Sequence, residues 1–103
     1  MRSRKTYRVL VVGTDKDTRQ KLVEYYLSRL KRSNVRNMVY KAKSITEVQR
    51  KIVSSLEFHL IVFPKNFPES EREELREWLS YIRQAITFIM VPLELIDKPV
   101  VKI

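Results

Sequence analysis

The sequence predicts a small three-layer α/β domain around a parallel sheet of strand order 2-1-3-4, and three observations predict it. Four β-forming runs are separated by segments long enough for one helix each. Those segments space their apolar residues at helical intervals and open with helix-start signals. The third run, Leu60 to Phe63 (LIVF) bounded by Pro64, is short, unbroken and apolar, which suits a strand covered on both faces at the centre of a parallel sheet. Helix-length connections imply right-handed crossovers. Of the common orders for such sheets, 2-1-3-4 suits so short a chain and makes the second strand an edge.

In chain order, residues 1–6 are expected to be a flexible basic arm, and Tyr7 to Val12 (YRVLVV) is a buried first strand. Gly13, Thr14 and Asp15 supply a turn and a helix cap. Leu22, Val23, Tyr26, Leu27 and Leu30 then share one helical face, predicting a helix over 16–31 that ends in cations. Val35 to Lys43 alternates as a half-exposed strand, and its lysines discourage pairing with another chain. Ser44 and Glu47 form a capping box for a helix that buries Ile45, Val48, Ile52, Val53 and Leu56. His59 leads into the third strand, with neither a second histidine nor a cysteine to share a metal. Ser70 and Glu73 read as the capping box of a third helix with Leu75, Trp78, Leu79 and Ile82 as its buried stripe. Thr87 to Val91 is a fourth strand stopped by Pro92. Val100 to Ile103 is a candidate fifth, antiparallel or truncated, because the seven residues from Pro92 to Lys98 are too few for a parallel crossover.

At 103 residues the chain is expected to be a single domain over 1–103. Without cysteine there is neither a disulfide framework nor a thiolate metal site, which fits a reducing compartment. Neither a membrane span nor a signal peptide is expected, so the reading is cytoplasmic. One glycine and 32% charged residues point toward a thermophilic source. The net charge of +9 is unevenly spread: residues 1–51 hold 15 Lys and Arg against four acids, and residues 52–103 hold six against eight. A basic half of this kind attracts nucleic acid or an acidic partner.

The central strand delivers its next residues to the crevice at the carboxyl edge of the sheet, where open α/β sheets place ligands. There the chain has Pro64. RVLVVGTDKDTRQKLVEYYL resembles the opening of response-regulator receiver domains, which share the flavodoxin-like fold. LIVFPKNFPESEREELREWL resembles their third strand and following helix, TFIMV their fourth strand, and Lys98-Pro99 the pair at the end of their fifth. The resemblance implies a degenerate site at Gly13, Thr14, Asp15, Pro64 and Lys98. Gly13 and Thr14 fall where the family has its magnesium-binding acidic pair, only Asp15 keeps a carboxylate, and the phosphate-accepting aspartate falls at Pro64. Proline cannot accept a phosphoryl group.

The chain therefore resembles a pseudo-receiver: not an enzyme, with neither metal nor small-molecule cofactor expected, acting in signal transduction through protein-protein contacts, including self-association as a homodimer through the fourth strand or the C-terminal segment. Helix one, with Arg19 and Lys21 off the apolar stripe, is a surface for an acidic partner. The second hypothesis is nucleic-acid binding through Arg4, Lys5, Arg29, Lys31, Arg32, Arg36, Lys41 and Lys43, with Tyr25 and Tyr40 able to stack on bases if exposed. The third is a small enzyme or sensor using Asp15, Lys16, Lys65 and Asn66, supported only by polar identity.

Overall fold

The computed structural model describes residues 5–54 and 57–96. The candidate fifth strand, Lys98, Leu56 and residues 1–4 of the N-terminal arm, Arg4 among them, lie outside these residues; the end of the expected arm is not free, since Thr6 opens β1 and the Lys5 carbonyl accepts from the Arg36 N–H. The elements are β1 (Thr6–Val12), α1 (Lys16–Tyr25) continued by a π-helical turn (Tyr26–Leu30), β2 (Arg36–Ala42), α2 (Ile45–Ile52), β3 (Leu60–Pro64), α3 (Glu69–Tyr81), β4 (Thr87–Val91) and a short α4 (Leu93–Ile96). The four strands pair in parallel in the order β2-β1-β3-β4, the order the sequence predicts. Among the described residues no helix is long and apolar enough to cross a membrane.

Both faces of the sheet are covered, which explains why the central strands read as continuous apolar runs. Leu10, Val12, Ile61 and Phe63 point to one face and pack with Val48 and Ile52 of α2 and Leu75 and Leu79 of α3. Val9, Val11, Leu60 and Val62 point to the other and pack with Leu22, Tyr26 and Ile96. Every residue of β3 is buried. The Phe63 ring lies 5.1 Å from Phe67 and 5.2 Å from Phe88, so the residue just before Pro64 is fixed by aromatic contacts on both sides.

The helix ends depart from expectation in three places. The first helix is α-helical only to Tyr25. Its last turn widens, with the Lys31 N–H reaching back to the Tyr26 carbonyl at 2.8 Å, while Ser28 Oγ occupies the Glu24 carbonyl at 2.8 Å. Widening moves the residues after Tyr26 around the axis, and Leu27 is exposed instead of buried. The Ser70–Glu73 capping box does not form. Helix α3 starts two residues earlier, at Glu69 behind Pro68, with no side-chain cap, and Ser70 lies inside its first turn. Its N-terminus is instead favoured by Glu69 and Glu71 against the helix dipole. Finally, Ile82 and Val53 are exposed because each follows the last helical residue; after Ile82 the chain turns away at Arg83, φ 57°.

The expected caps of the other two helices are present. Asp15 accepts from the Thr18 N–H at 3.0 Å and from its hydroxyl at 3.1 Å, and Ser44 accepts from the Glu47 N–H at 3.3 Å.

Candidate functional site

Polar side chains gather at two ends of the sheet. At the carboxyl edge, the turn after β1 and the turn after β3 enclose a crevice of about 160 Å³ lined by Gly13, Thr14, Asp15, Thr18, Pro64, Asn66, Phe67 and Pro68. The fold thus brings together Gly13, Thr14, Asp15 and Pro64, the positions that the sequence places there. The volume is below the roughly 300 Å³ at which small-molecule sites begin.

Several polar groups around the crevice are already engaged. The Asp15 carboxylate is engaged at the start of α1. The Gly13 N–H donates to the Ala42 carbonyl at 3.0 Å, tying the turn to β2. The Gly13 carbonyl accepts from Arg19 Nη1 at 2.7 Å, and a methyl group added at Gly13 would stand 3.2 Å from Arg19 Cγ. Pro64 is buried, its carbonyl accepts from the Phe67 N–H at 2.9 Å, and the Lys65 N–H donates to the Val91 carbonyl at 2.8 Å. Thr14, Lys16, Lys65 and Asn66 are exposed. Among the described residues no three His, Cys, Asp or Glu side chains come close enough to share a metal ion.

The amino edge carries a cluster that sequence reasoning missed. Asn37, at the start of β2, accepts at Oδ1 from the Tyr26 hydroxyl at 2.7 Å and from the Arg32 N–H at 3.1 Å, while its Nδ2 donates to the Arg32 carbonyl at 2.7 Å. One side chain so fixes the helix end, the loop and the strand. The Tyr26 ring is fully buried, and burial, followed by the nearby Tyr7, pushes its hydroxyl up to about 12, against a smaller opposing effect of Arg32. Beside it the Tyr7 ring is sandwiched between the His59 ring, stacked at 5.0 Å, and the Arg32 guanidinium at 4.8 Å. His59 Nδ1 accepts from the Arg8 N–H at 3.0 Å, a structural role at the end of the sheet opposite the crevice.

The sequence-designated cations separate into groups. Lys5, Arg29, Lys31, Arg32 and Arg36 are all exposed at the amino edge, where the Arg36 N–H donates to the Lys5 carbonyl at 2.9 Å. Lys41 and Lys43 are exposed at the far end of β2, Lys41 reaching Gln20 Oε1 at 3.3 Å. Arg19, expected to be a free surface charge, is half-buried and holds the turn after β1. Lys21 pairs with Asp17 at 3.2 Å. Tyr25 and Tyr40 are half-buried as well. Tyr40 meets Phe58 edge-on at 5.2 Å and Tyr25 packs against the α1 core, so neither is an open platform for a base.

Comparison with protein-family models, curated proteins and solved structures finds no match to this chain. Its likeness to flavodoxin-like and receiver-like domains therefore rests on the parallel 2-1-3-4 sheet and its flanking helices.

Proposed function

We propose that this chain is a non-catalytic pseudo-receiver, an interaction module that works by contact and independently of phosphorylation. The observation that carries the reading is Pro64, buried at the carboxyl end of the central strand, where the resemblance to receivers expects a phosphate-accepting carboxylate. Asp15 is the one carboxylate lining the crevice, and it is engaged as a helix cap. With neither an acceptor nor an acidic pair, the crevice supports no phosphoryl transfer. Incubation with acetyl phosphate and magnesium should leave the intact mass unchanged; a phosphoryl adduct on a crevice residue would overturn the reading.

The partner surface we assign to this module is the β4 edge, and the partner a second copy of the chain. The Thr87 N–H donates to His59 and the Val91 carbonyl accepts from Lys65, both toward β3, so by alternation the peptide groups of Phe88 and Met90 face outward. The strand TFIMV carries no charge, and the Met90 side chain is 40% exposed. Such an edge is a template for pairing. Light scattering on the full chain should give a dimer, and Met90→Lys should give a monomer with an unchanged circular dichroism spectrum. A wild-type monomer at high concentration would remove self-association from the reading without affecting the phosphorylation result.

A further inference from the structure

We infer that the β2 edge and the basic loop leading into it form a phosphate-binding surface for nucleic acid. The surface lies on the edge opposite β4 and does not depend on self-association. From Tyr25 to Thr46 the chain contains six cations and no acid. The fold aligns these six along one border: Arg29, Lys31 and Arg32 at the helix end and loop, Arg36 at the start of β2, Lys41 and Lys43 at its other end. All six are exposed, and among the described residues no salt bridge to an acid engages any of them.

Two ordinary roles for these charges do not account for the pattern. Cations at a helix C-terminus balance about half an elementary charge, whereas three cations gather there. Solubilising charge intersperses both signs, as on α3, where Glu69, Glu71, Glu73, Glu74 and Glu77 alternate with Arg72 and Arg76. The β2 border has one sign only.

The loop is also held in place, so that its charges are presented in a fixed arrangement. Asn37 grips the Arg32 backbone through both its N–H and its carbonyl, and the Arg32 guanidinium rests on Tyr7. Pre-ordering of this kind lowers the entropy lost on binding. β2 adds its own donors: the Arg36 N–H and the Ala42 carbonyl face β1, so by alternation the N–H groups of Val39 and Lys41 face outward. Seven residues of strand extend about 23 Å, enough to follow several consecutive phosphates.

The chemistry favours a nucleic-acid backbone over an acidic protein. From Arg29 to Lys43 no large apolar side chain is exposed, whereas protein interfaces centre on desolvated apolar or aromatic anchors. A phosphate backbone needs only aligned cations and donors. With Tyr25 and Tyr40 packed against the core, base stacking adds little, so binding depends on charge and little on sequence.

The test uses fluorescence anisotropy of the full chain with short labelled duplex DNA, single-stranded DNA and single-stranded RNA, and labelled polyglutamate, from about 50 to about 200 mM salt. The wild type should bind nucleic acid with an affinity that falls steeply with salt. Lys31→Gln combined with Arg36→Gln should weaken binding by roughly tenfold or more and reduce the salt slope by about two. Lys41→Gln with Lys43→Gln, at the far end of the border, should act in the same direction. Lys65→Gln with Arg83→Gln removes equal charge from exposed positions away from β2 and should leave affinity within about twofold. Absence of a complex at the lowest salt, equal losses in the border variants and the Lys65/Arg83 control, or polyglutamate bound as tightly as nucleic acid would each overturn the inference, the last by making the partner an acidic protein.

Discussion

The Tyr26 hydroxyl donates to Asn37 Oδ1 at 2.7 Å, joining the last turn of the first helix to the first residues of the edge strand. A buried phenol in this position makes stability depend on alkaline pH. Its ionisation is raised to about 12 in the folded chain from an ordinary value of 10.0. The unfolded state therefore loses its proton first as pH rises, and the sign follows: the contribution is complete below pH 10 and is lost as pH climbs from there through about 12. Urea midpoints followed by the fluorescence of Trp78 should fall across that window. Tyr26→Phe, which retains the ring and removes the ionisable group, should abolish this component of the fall.

Removing Asn37 should cost more than removing the hydroxyl. Tyr26→Phe takes away one hydrogen bond, about 1 kcal/mol, and leaves Asn37 Oδ1 with the Arg32 N–H as donor. Asn37→Ala leaves the buried hydroxyl without its acceptor and removes both bonds to the exposed Arg32 backbone, for about 2–3 kcal/mol. A double-mutant cycle should show the two losses to be strongly non-additive, because both variants break one bond. Additive losses would mean that the two side chains act separately.

Arg19 should behave as a structural residue. Its guanidinium donates to the Gly13 carbonyl at 2.7 Å from a half-buried position, and a hydrogen bond with one charged partner contributes about 1.5 kcal/mol or more. Arg19→Ala should lower the urea midpoint accordingly, whereas Lys65→Ala, at an exposed position in the same region, should change it by less than about 0.5 kcal/mol. An Arg19 variant as stable as the wild type would return that residue to the set of free surface charges.

The contrast between Arg19 and the sheet shows what was legible beforehand. Strand order could be read because an unbroken LIVF run, helix-length connections and a lysine-bearing alternating strand each reflect burial, which is written into residue type. Arg19 could not, because a helical wheel shows that a side chain lies off the apolar stripe but not that a carbonyl of the preceding turn lies within its reach. Asn37 was hidden for the same reason: in sequence it is one polar residue in an alternating run, and its role emerges only from the meeting of helix end, loop and strand. The failed Ser70 cap has a local cause, since Pro68 takes the cap position two residues ahead of it. Gly13, Thr14, Asp15 and Pro64 come together because strand ends fix the crevice, and Asp15 could be read as a cap because it directly precedes the helical stripe.

Restoring a carboxylate at the centre should not restore receiver chemistry. Pro64→Asp would bury an acid beside Asp15 with no cation lining the crevice, at a cost of about 3 kcal/mol at neutral pH. Burial and a like charge both raise the acid's folded-state ionisation above its unfolded value, so the penalty should shrink as pH falls through the carboxylate range. Denaturation at neutral and mildly acidic pH would show this. Intact mass after acetyl phosphate treatment should remain unchanged, since the second acid of a magnesium-binding pair is still missing.

The two borders of the sheet have opposite consequences for growth. A pair of the kind proposed, joined along β4, would form one continuous sheet whose outer strands among the described residues are both β2, each with Arg36 and Lys41 and, just past the strand, Lys43. Like charges then face any third copy at either end, so a two-fold contact closes the assembly instead of propagating it into a fibre. The cations that exclude further chains are those that would hold phosphate, so the same border both caps the sheet and leaves it open to a polyanion.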